Sequence, residues 1–340
     1  MRSCARALLK VQTGRAMSQM IVAFAALLAA IAPVAAQDWP NRPVTMLVPF
    51  AAAGGADVMG RIVAARLSEV LGQQVIVENV SGAGGMIGAS RVAKAPPDGY
   101  QFVFGSSGTH AVNQTLYKNP LYNAATDFAP VVLITELPLV LVVRKDLAAS
   151  NLPEFITYAK ANQAKMQYSS SGVGSTNHLA CALLNSTIAI NNVTHVPYRG
   201  AAPAMQDLIA GRIDYGCFEP PITVPQVESK TVQAIAILTK NRSPTLPNLA
   251  SAHEQGLKDF EAYSWYAIFL PKGTPAPIVQ KLHDATIAAM NTPAVHAKLQ
   301  EIGAIVVASE RRSPEYLQKF VESEIEKWAD PIKAANIRIE

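Results

Sequence analysis

Three short segments of this 340-residue chain combine residue types suited to holding an anion: Phe50 to Asp57, Ser106 to His110, and Ser171 to Thr176. The first contains Ala52, Gly54 and Gly55, which have so little side chain that backbone N–H groups can approach a ligand closely. The other two add hydroxyls, from Ser106 and Ser107 and from Ser171, Ser175 and Thr176, with the flexible Gly172 between them. Each segment runs from an apolar strand pattern into a helix, and the first N–H groups of a helix carry no internal partner. The chemistry indicated is noncovalent capture of a carboxylate or phosphate.

Other chemistries fit the spacing poorly. Gly105-Ser106-Ser107-Gly108 is not the GxSxG elbow of a serine hydrolase. The segment GAGGMIG from Gly82 to Gly88 has Ile87 where a dinucleotide fingerprint needs its third glycine, so a strand-to-helix packing turn explains it better. No GxxxxGK[ST] loop, CxxC pair or HExxH is present, and no cofactor or metal is expected.

The elements that must position these loops alternate along the chain, which predicts α/β layers. Val44 to Val48 reads as a buried strand, and Met59, Ile62, Val63, Leu67, Val70 and Leu71 recur at helical spacing before Gly72. Strands are predicted at Gln74 to Val80 and Tyr100 to Phe104, with a helix at Met86 to Ala93 between them. Val131 to Ile134 and Leu137 to Val143 read as two apolar runs split by Glu136, and the second carries the chain to another lobe near Val140. The pattern then restarts: helix Pro153 to Asn162, strand Met166 to Ser169, a helix from Asn177, strand Thr194 to Pro197, helix Ala201 to Ala210, and strands Ile213 to Phe218 and Gln233 to Leu238. Tyr263 to Leu270 is the expected return. Thr274-Pro275, Thr292-Pro293 and Ser313-Pro314 each place a hydroxyl before proline at a helix start. Leu317, Phe320, Val321, Ile325 and Trp328 form a core stripe on the last helix.

Residues 1–36 have the pattern of a secretory signal peptide: Arg2, Arg6, Lys10 and Arg15 precede an apolar run from Ile21 to Ile31 and a small-residue exit ending at Ala36. Cleavage there removes four of 29 basic residues and none of 25 acidic ones, leaving a mature balance of zero. The formal +4 therefore belongs to the export signal and gives no support for a nucleic-acid-binding face. Cys181 and Cys217 remain after export, either as one disulfide or as two buried thiols.

Single residues admit two readings. Asp57 suits a helix first turn as well as a ligand contact. Arg199 is placed to grip a carboxylate or to pair with Asp207. His110 lies on a candidate loop, where capping or hydrogen bonding competes with a charge switch. His178 and His195 read as structural. Phe50 and Trp265 suit either the cleft or the core.

The ordered set WPNRPVTMLVPFAAAGGADVMGR, VENVSGAGGMIGASRVAKAPPDGY, SSSGVGSTNHLA, HVPYRGAAPAMQDLIAGRIDY and FLPKGTPAPIV resembles the Bug family, the extracytoplasmic solute receptors of tripartite tricarboxylate transporters. The resemblance spans the chain from Trp39 onward. It implies a two-lobed type II periplasmic binding protein fold, a flytrap closing on a small mono- or dicarboxylate, aromatic ones included. It divides the chain into a signal peptide at 1–36, one lobe at 37–140 plus 266–340, and a second at 141–265. The implied ligand contacts are Phe50, Ala52, Gly54, Gly55, Asp57, Ser106, Ser107 and His110 on the first lobe. On the second they are Ser171, Gly172, Ser175, Thr176, Tyr198 and Arg199. It further implies a periplasmic, non-enzymatic monomer that serves the membrane subunits of a transporter, uses no cofactor and binds no nucleic acid. The alternatives are a ligand sensor signalling to a membrane kinase and a secreted hydrolase. Two departures stand out: Cys181-Ala182 replaces a frequent Gly-Glu pair, and Glu219, next to Cys217, would alter the charge of the pocket.

Overall fold

The computed structural model of the protein describes residues 39–334, so the expected signal peptide and its cleavage near Ala36 lie outside the described residues. From Arg42 onward the chain forms a single compact unit built on two sheets.

The first sheet begins with β1 (Val44–Val48), four of whose five residues are fully buried. It pairs in parallel with β2 (Val75–Asn79) and β3 (Gln101–Ser106) on either side. Between them run α1 (Gly55–Leu71), ended by Gly72 in the left-handed region, and α2 (Met86–Ala93). A π-helical turn at Gly108–Val112 and the short α3 (Asn113–Leu116) lead to β4 (Phe128–Pro138).

The second sheet begins two residues after β4 ends. It contains β5 (Val140–Arg144), β6 (Gln167–Ser170), β7 (Thr194–Pro197), β8 (Tyr215–Phe218) and β9 (Val232–Ile237), in the order β7-β6-β8-β5-β9. Its helices are α4 (Leu152–Asn162), α5 (Thr176–Thr187), α6 (Ala201–Ile209) and α7 (Pro220–Glu228). The chain then returns through β10 (Tyr263–Pro271), which inserts antiparallel between β3 and β4. The helices α8 (Ala276–Met290), α9 (Pro293–Glu301) and α10 (Pro314–Ala334), with the two-residue β11 (Ile305–Val306) before α10, complete the first sheet in the order β11-β4-β10-β3-β1-β2.

Period-two alternation accounts for the double core of the second lobe. Leu141 and Val143 pack with Phe155, Leu184 and Tyr215 on one face of its sheet, while Val140 and Val142 pack with Met205, Leu208 and Phe218 on the other. A disulfide joins Cys181 on α5 to Cys217 on β8, with S–S 2.10 Å and Cα–Cα 5.6 Å, inside the first of these cores. In the first lobe, Leu317, Val321 and Trp328 of α10 lie fully inside a cluster with Leu133, Trp265 and Phe269, and Phe320 and Ile325 pack against it.

The structure corrects several local expectations. The apolar runs around Glu136 form one continuous strand, because the Glu136 carboxylate leaves the core to meet the Arg311 guanidinium through two bonds of 2.7 and 2.8 Å. The break comes at Leu139, where the chain changes sheets: its N–H donates to Ala262 O, and its carbonyl accepts from Leu238 N. Of the three expected hydroxyl caps only Ser313 accepts a first-turn N–H, from Tyr316; Thr274 Oγ1 donates back to Pro271 O, and Thr292 Oγ1 to Ala288 O. The helix α7 escapes a pattern reading because its sequence holds Pro220, Pro221 and Pro225. The first two occupy the turn where no N–H is required.

Candidate functional site

The carboxyl ends of parallel neighbours β1 and β3 in one sheet, and of β6, β7 and β8 in the other, all release the chain toward one cleft, the usual place for ligands in open α/β sheets. There a small recess lies between the two lobes. The first lobe contributes Phe50, Gly54, Gly55, Ala56, Ser106 and Tyr266 to its wall. The second contributes Ser171, Thr176, Asn177, Ala201 and Glu219. No Lys, Arg or His lines it, so the donors facing the recess are neutral.

Helix ends supply the positive potential instead. The recess is edged by the first residues of α1, α5 and α6, whose opening N–H groups have no acceptor within their own helices. The N-caps of α1 and α6 are Gly54 and Gly200, which offer no side chain to consume those donors. A fourth helix, α7, also starts here, but it begins Pro220-Pro221 and has no N–H at those two positions; its N-cap is Glu219. Three termini present donors, and the fourth presents a carboxylate.

Glu219 is 3% exposed. Its Oε2 accepts from Asn177 Nδ2 at 3.0 Å, and its Oε1 accepts from the Tyr266 hydroxyl at 3.2 Å. Burial pushes its carboxyl above the usual range, against the opposing pull of those hydrogen bonds. Burial and the neighbouring Glu219 likewise push the Tyr266 hydroxyl well up. Asn177 is fixed from both ends: its Nδ2 also donates to Cys217 O at 2.8 Å, and its Oδ1 accepts from Ser171 Oγ at 2.5 Å.

The lobes touch around the recess. Ala51 N–H donates to Arg199 O at 3.2 Å, and the Ser107 and Thr176 hydroxyls meet at 2.7 Å. Gly84, at φ +58°, lies so close to the second lobe that an added Cβ would stand 2.3 Å from Val173 O. The glycine turn read from sequence as a packing device packs here against the opposite lobe.

Of the residues singled out by sequence, Phe50, Gly54, Gly55, Ser106, Ser171 and Thr176 line the recess together. The others stand apart from it. Ala52 is exposed on the turn. Asp57 is buried behind the first loop and holds it in place: its Oδ2 accepts from Ala53 N–H at 2.9 Å, and it pairs with Arg61 at 3.0 Å. Burial raises its pKa, but the bonds from Arg61, Ala53 and Asn79 outweigh this and hold the carboxyl below its usual range.

Ser107 is occupied with Thr176, and Ser175 caps α5 by accepting His178 N–H while donating to Gly172 O. Gly172 supplies that carbonyl as an acceptor, facing inward. His110 is fully buried, stacked on Phe269 at 3.9 Å, and burial pushes its pKa down to about 3, so it is a neutral core residue. Tyr198 donates its hydroxyl to Asp207 at 2.6 Å, and the second partner of Asp207 is Arg212, not Arg199. Arg199 is exposed, and its carbonyl makes the cross-lobe contact. Trp265 is core, donating to Glu324 at 2.9 Å.

Sequence reasoning missed Ala56, Asn177, Ala201 and Tyr266. The first three are the first or second residues of helices whose starts were read as boundaries. Tyr266 lies on a returning strand, 47 residues from Glu219, with no local signal to pair them.

Ser170 Oγ and His195 Nε2 meet at 2.7 Å, an arrangement a hydrolase would use. Yet Ser170 is fully buried, and burial, with the adjacent His178, pushes the His195 pKa down to about 3. Its ring is packed between Tyr168 at 4.7 Å and His178 at 4.2 Å. Ser170 Oγ accepts from Gly172 N–H at 3.1 Å, a bond that shapes the site loop.

Residues 59–337 match the family model described as the tripartite tricarboxylate transporter family receptor. Among solved structures, the chain is similar to the periplasmic binding protein BugD, with 37% identity and a TM-score of 0.86 over 89% of this chain and 100% of that one. It is also similar to MatC from Rhodopseudomonas palustris with bound malate: 37% identity and TM-score 0.84, covering 86% of this chain and 100% of that one. A further R. palustris protein, solved with adipate, has 38% identity and a TM-score of 0.84, covering 88% and 99%.

Proposed function

Because this chain belongs to the tripartite tricarboxylate transporter receptor family, we propose that it is an exported, periplasmic receptor that captures a small organic acid without chemically altering it. The observation that carries this reading is the convergence of three donor-bearing helix N-termini on one recess that no Lys or Arg enters. Such a site binds an anion through oriented backbone dipoles. Neutral donors permit release as well as capture, which suits a protein that must surrender its cargo. The malate and adipate bound by two relatives of 37% and 38% identity support a carboxylate of similar size.

In the mechanism proposed, the first lobe takes the acid group on the Phe50 to Ala56 loop and Ser106. The lobes, parting near Val140 and near Trp265, then swing together, and Ser171, Thr176 and Ala201 close the other side. The contacts Ala51–Arg199 and Ser107–Thr176 would form on closure and exclude water. The closed surface is what the membrane subunits of a transporter would recognise. The buried state of Ser170 and the depressed basicity of His195 support binding over hydrolysis.

The test is a thermal-shift and calorimetry screen of the mature protein against mono- and dicarboxylates. A cognate acid at about 100 times its Kd adds roughly 2.7 kcal/mol of stability. A selective shift by one acid class is the expected result; no shift by any acid would count against the reading. Transport is checked separately, since deleting the membrane subunits should abolish uptake.

A further inference from the structure

We infer that Glu219 is a selectivity residue that reads a hydrogen-bond donor, an ammonium or a hydroxyl, carried on the ligand beside its carboxylate. This deepens the proposed receptor reading and rests on it.

A carboxylate on the wall of an anion site is out of place unless the ligand answers it. Both Glu219 oxygens already accept, Oε2 from Asn177 Nδ2 and Oε1 from the Tyr266 hydroxyl. The Asn177 amide cannot be turned round, because its nitrogen also donates to Cys217 O and its oxygen receives Ser171 Oγ. The surroundings are therefore built to present Glu219 as an acceptor. Each carboxylate oxygen accepts more than one hydrogen bond, so capacity remains on the side facing the recess. No Lys or Arg lines the recess to neutralise it.

The helix that begins at Glu219 reinforces the point. A helix N-terminus ordinarily attracts anions through its free N–H groups, but Pro220 and Pro221 remove two of them, and the N–H groups of Ile222 and Thr223 both donate to Glu219 O. This end of the recess offers acceptors where the ends at Gly55, Thr176 and Ala201 offer donors. A ligand that matches both ends has an acid group and, a few ångströms away, a donor. An acid with no donor would set its own negative charge against the Glu219 carboxyl with no hydrogen bond between them.

The test uses series matched in length: succinate, malate and aspartate, then glutarate, 2-hydroxyglutarate and glutamate, each titrated calorimetrically into the wild-type protein. At least one donor-bearing acid should bind tenfold or more tighter than its unsubstituted parent, and the better of the amino and hydroxy members names the donor. Glu219→Gln should weaken that ligand by tenfold or more while leaving the unsubstituted acid unchanged or improved. The wild-type comparison needs no variant and so is independent of whether Glu219→Gln folds normally. Equal or tighter binding of unsubstituted acids by wild type, or a uniform loss across each series in Glu219→Gln, overturns the inference while the receptor reading stands. Binding of no acid in either series overturns the inference, and the receptor reading is then judged on the wider screen of mono- and dicarboxylates.

Discussion

The two walls of the cleft are made differently. On the first lobe the residues at the recess are mostly small, Gly54, Gly55, Ala56 and Ser106, and what they present is backbone. Their loop is held from behind by Asp57, Asn79 and Arg61, none of which reaches the recess. On the second lobe the wall adds to the N-termini of α5 and α6 a set of side chains, Ser171, Asn177 and Glu219, linked to one another and fixed to a disulfide-bearing core. A backbone wall can hold any acid group, whereas a side-chain wall can discriminate. In the proposed function, capture falls to backbone donors on both walls and choice to the side chains of the second, so that changing one need not disturb the other.

The largest expected effect that sharpens this contrast is acid sensitivity. Burial pushes His178 to about 4 and His195 to about 3 in the second lobe, and His110 to about 3 in the first. Folded values below the unfolded one of about 6.5 mean that the unfolded chain takes up protons that the native state refuses. Stability should therefore fall as pH drops below 6.5, by roughly 1.4 kcal/mol per pH unit for each histidine, until the folded values are reached. Glu219, with its raised pKa, works in the opposite direction. Denaturant titrations at pH 7, 6 and 5 measure the slope, and proton NMR of the histidine rings assigns it. Normal titration of His178 and His195 near 6.5 would show that the second wall is not the rigid one.

Next in size is the Cys181–Cys217 bridge, which spans 36 residues and ties α5, bearing Asn177, to β8, which ends beside Glu219. The chain-entropy relation gives about 4 kcal/mol for a loop of that length. The double replacement Cys181→Ala with Cys217→Ala should lower unfolding stability by about that amount. Where it still folds, it should blunt selectivity among acids more than affinity for them. An unchanged preference would uncouple the bridge from the wall.

The smallest effect belongs to the first lobe. A Cβ at Gly84 would meet Val173 O at 2.3 Å and Ser175 N at 2.8 Å, contacts that exist only when the lobes meet. Gly84→Ala carries a penalty of about 1–2 kcal/mol for its left-handed backbone in any state. The clash with Val173 opposes closure alone. We expect an affinity loss of tenfold or more for every acid alike, read by calorimetry. A loss confined to some ligands would contradict the division between capture and choice.

Much of this was legible locally. The strand, small-residue loop and helix from Val44 to Leu71 follow from apolar run, missing bulk and period, and all three candidate loops supply residues to the recess. Prolines concealed α7, since residues that break a helix interior are harmless in its first turn. The pairing of Arg199 with Asp207 is not formed, because Arg212, five residues from that acid where Arg199 is eight away, takes it instead.

The sequence by itself determined the alternation of elements, the family and the three loops, because each is written in short-range pattern: period, residue size and turn chemistry. Tertiary structure alone decided which loop residues face the recess and which face the core, and it set Tyr266 and Asn177 on Glu219. It also placed Gly84 against Val173. Those meetings join residues 42 to 89 positions apart, brought together by two sheets and a double crossing. No local rule of spacing can encode them.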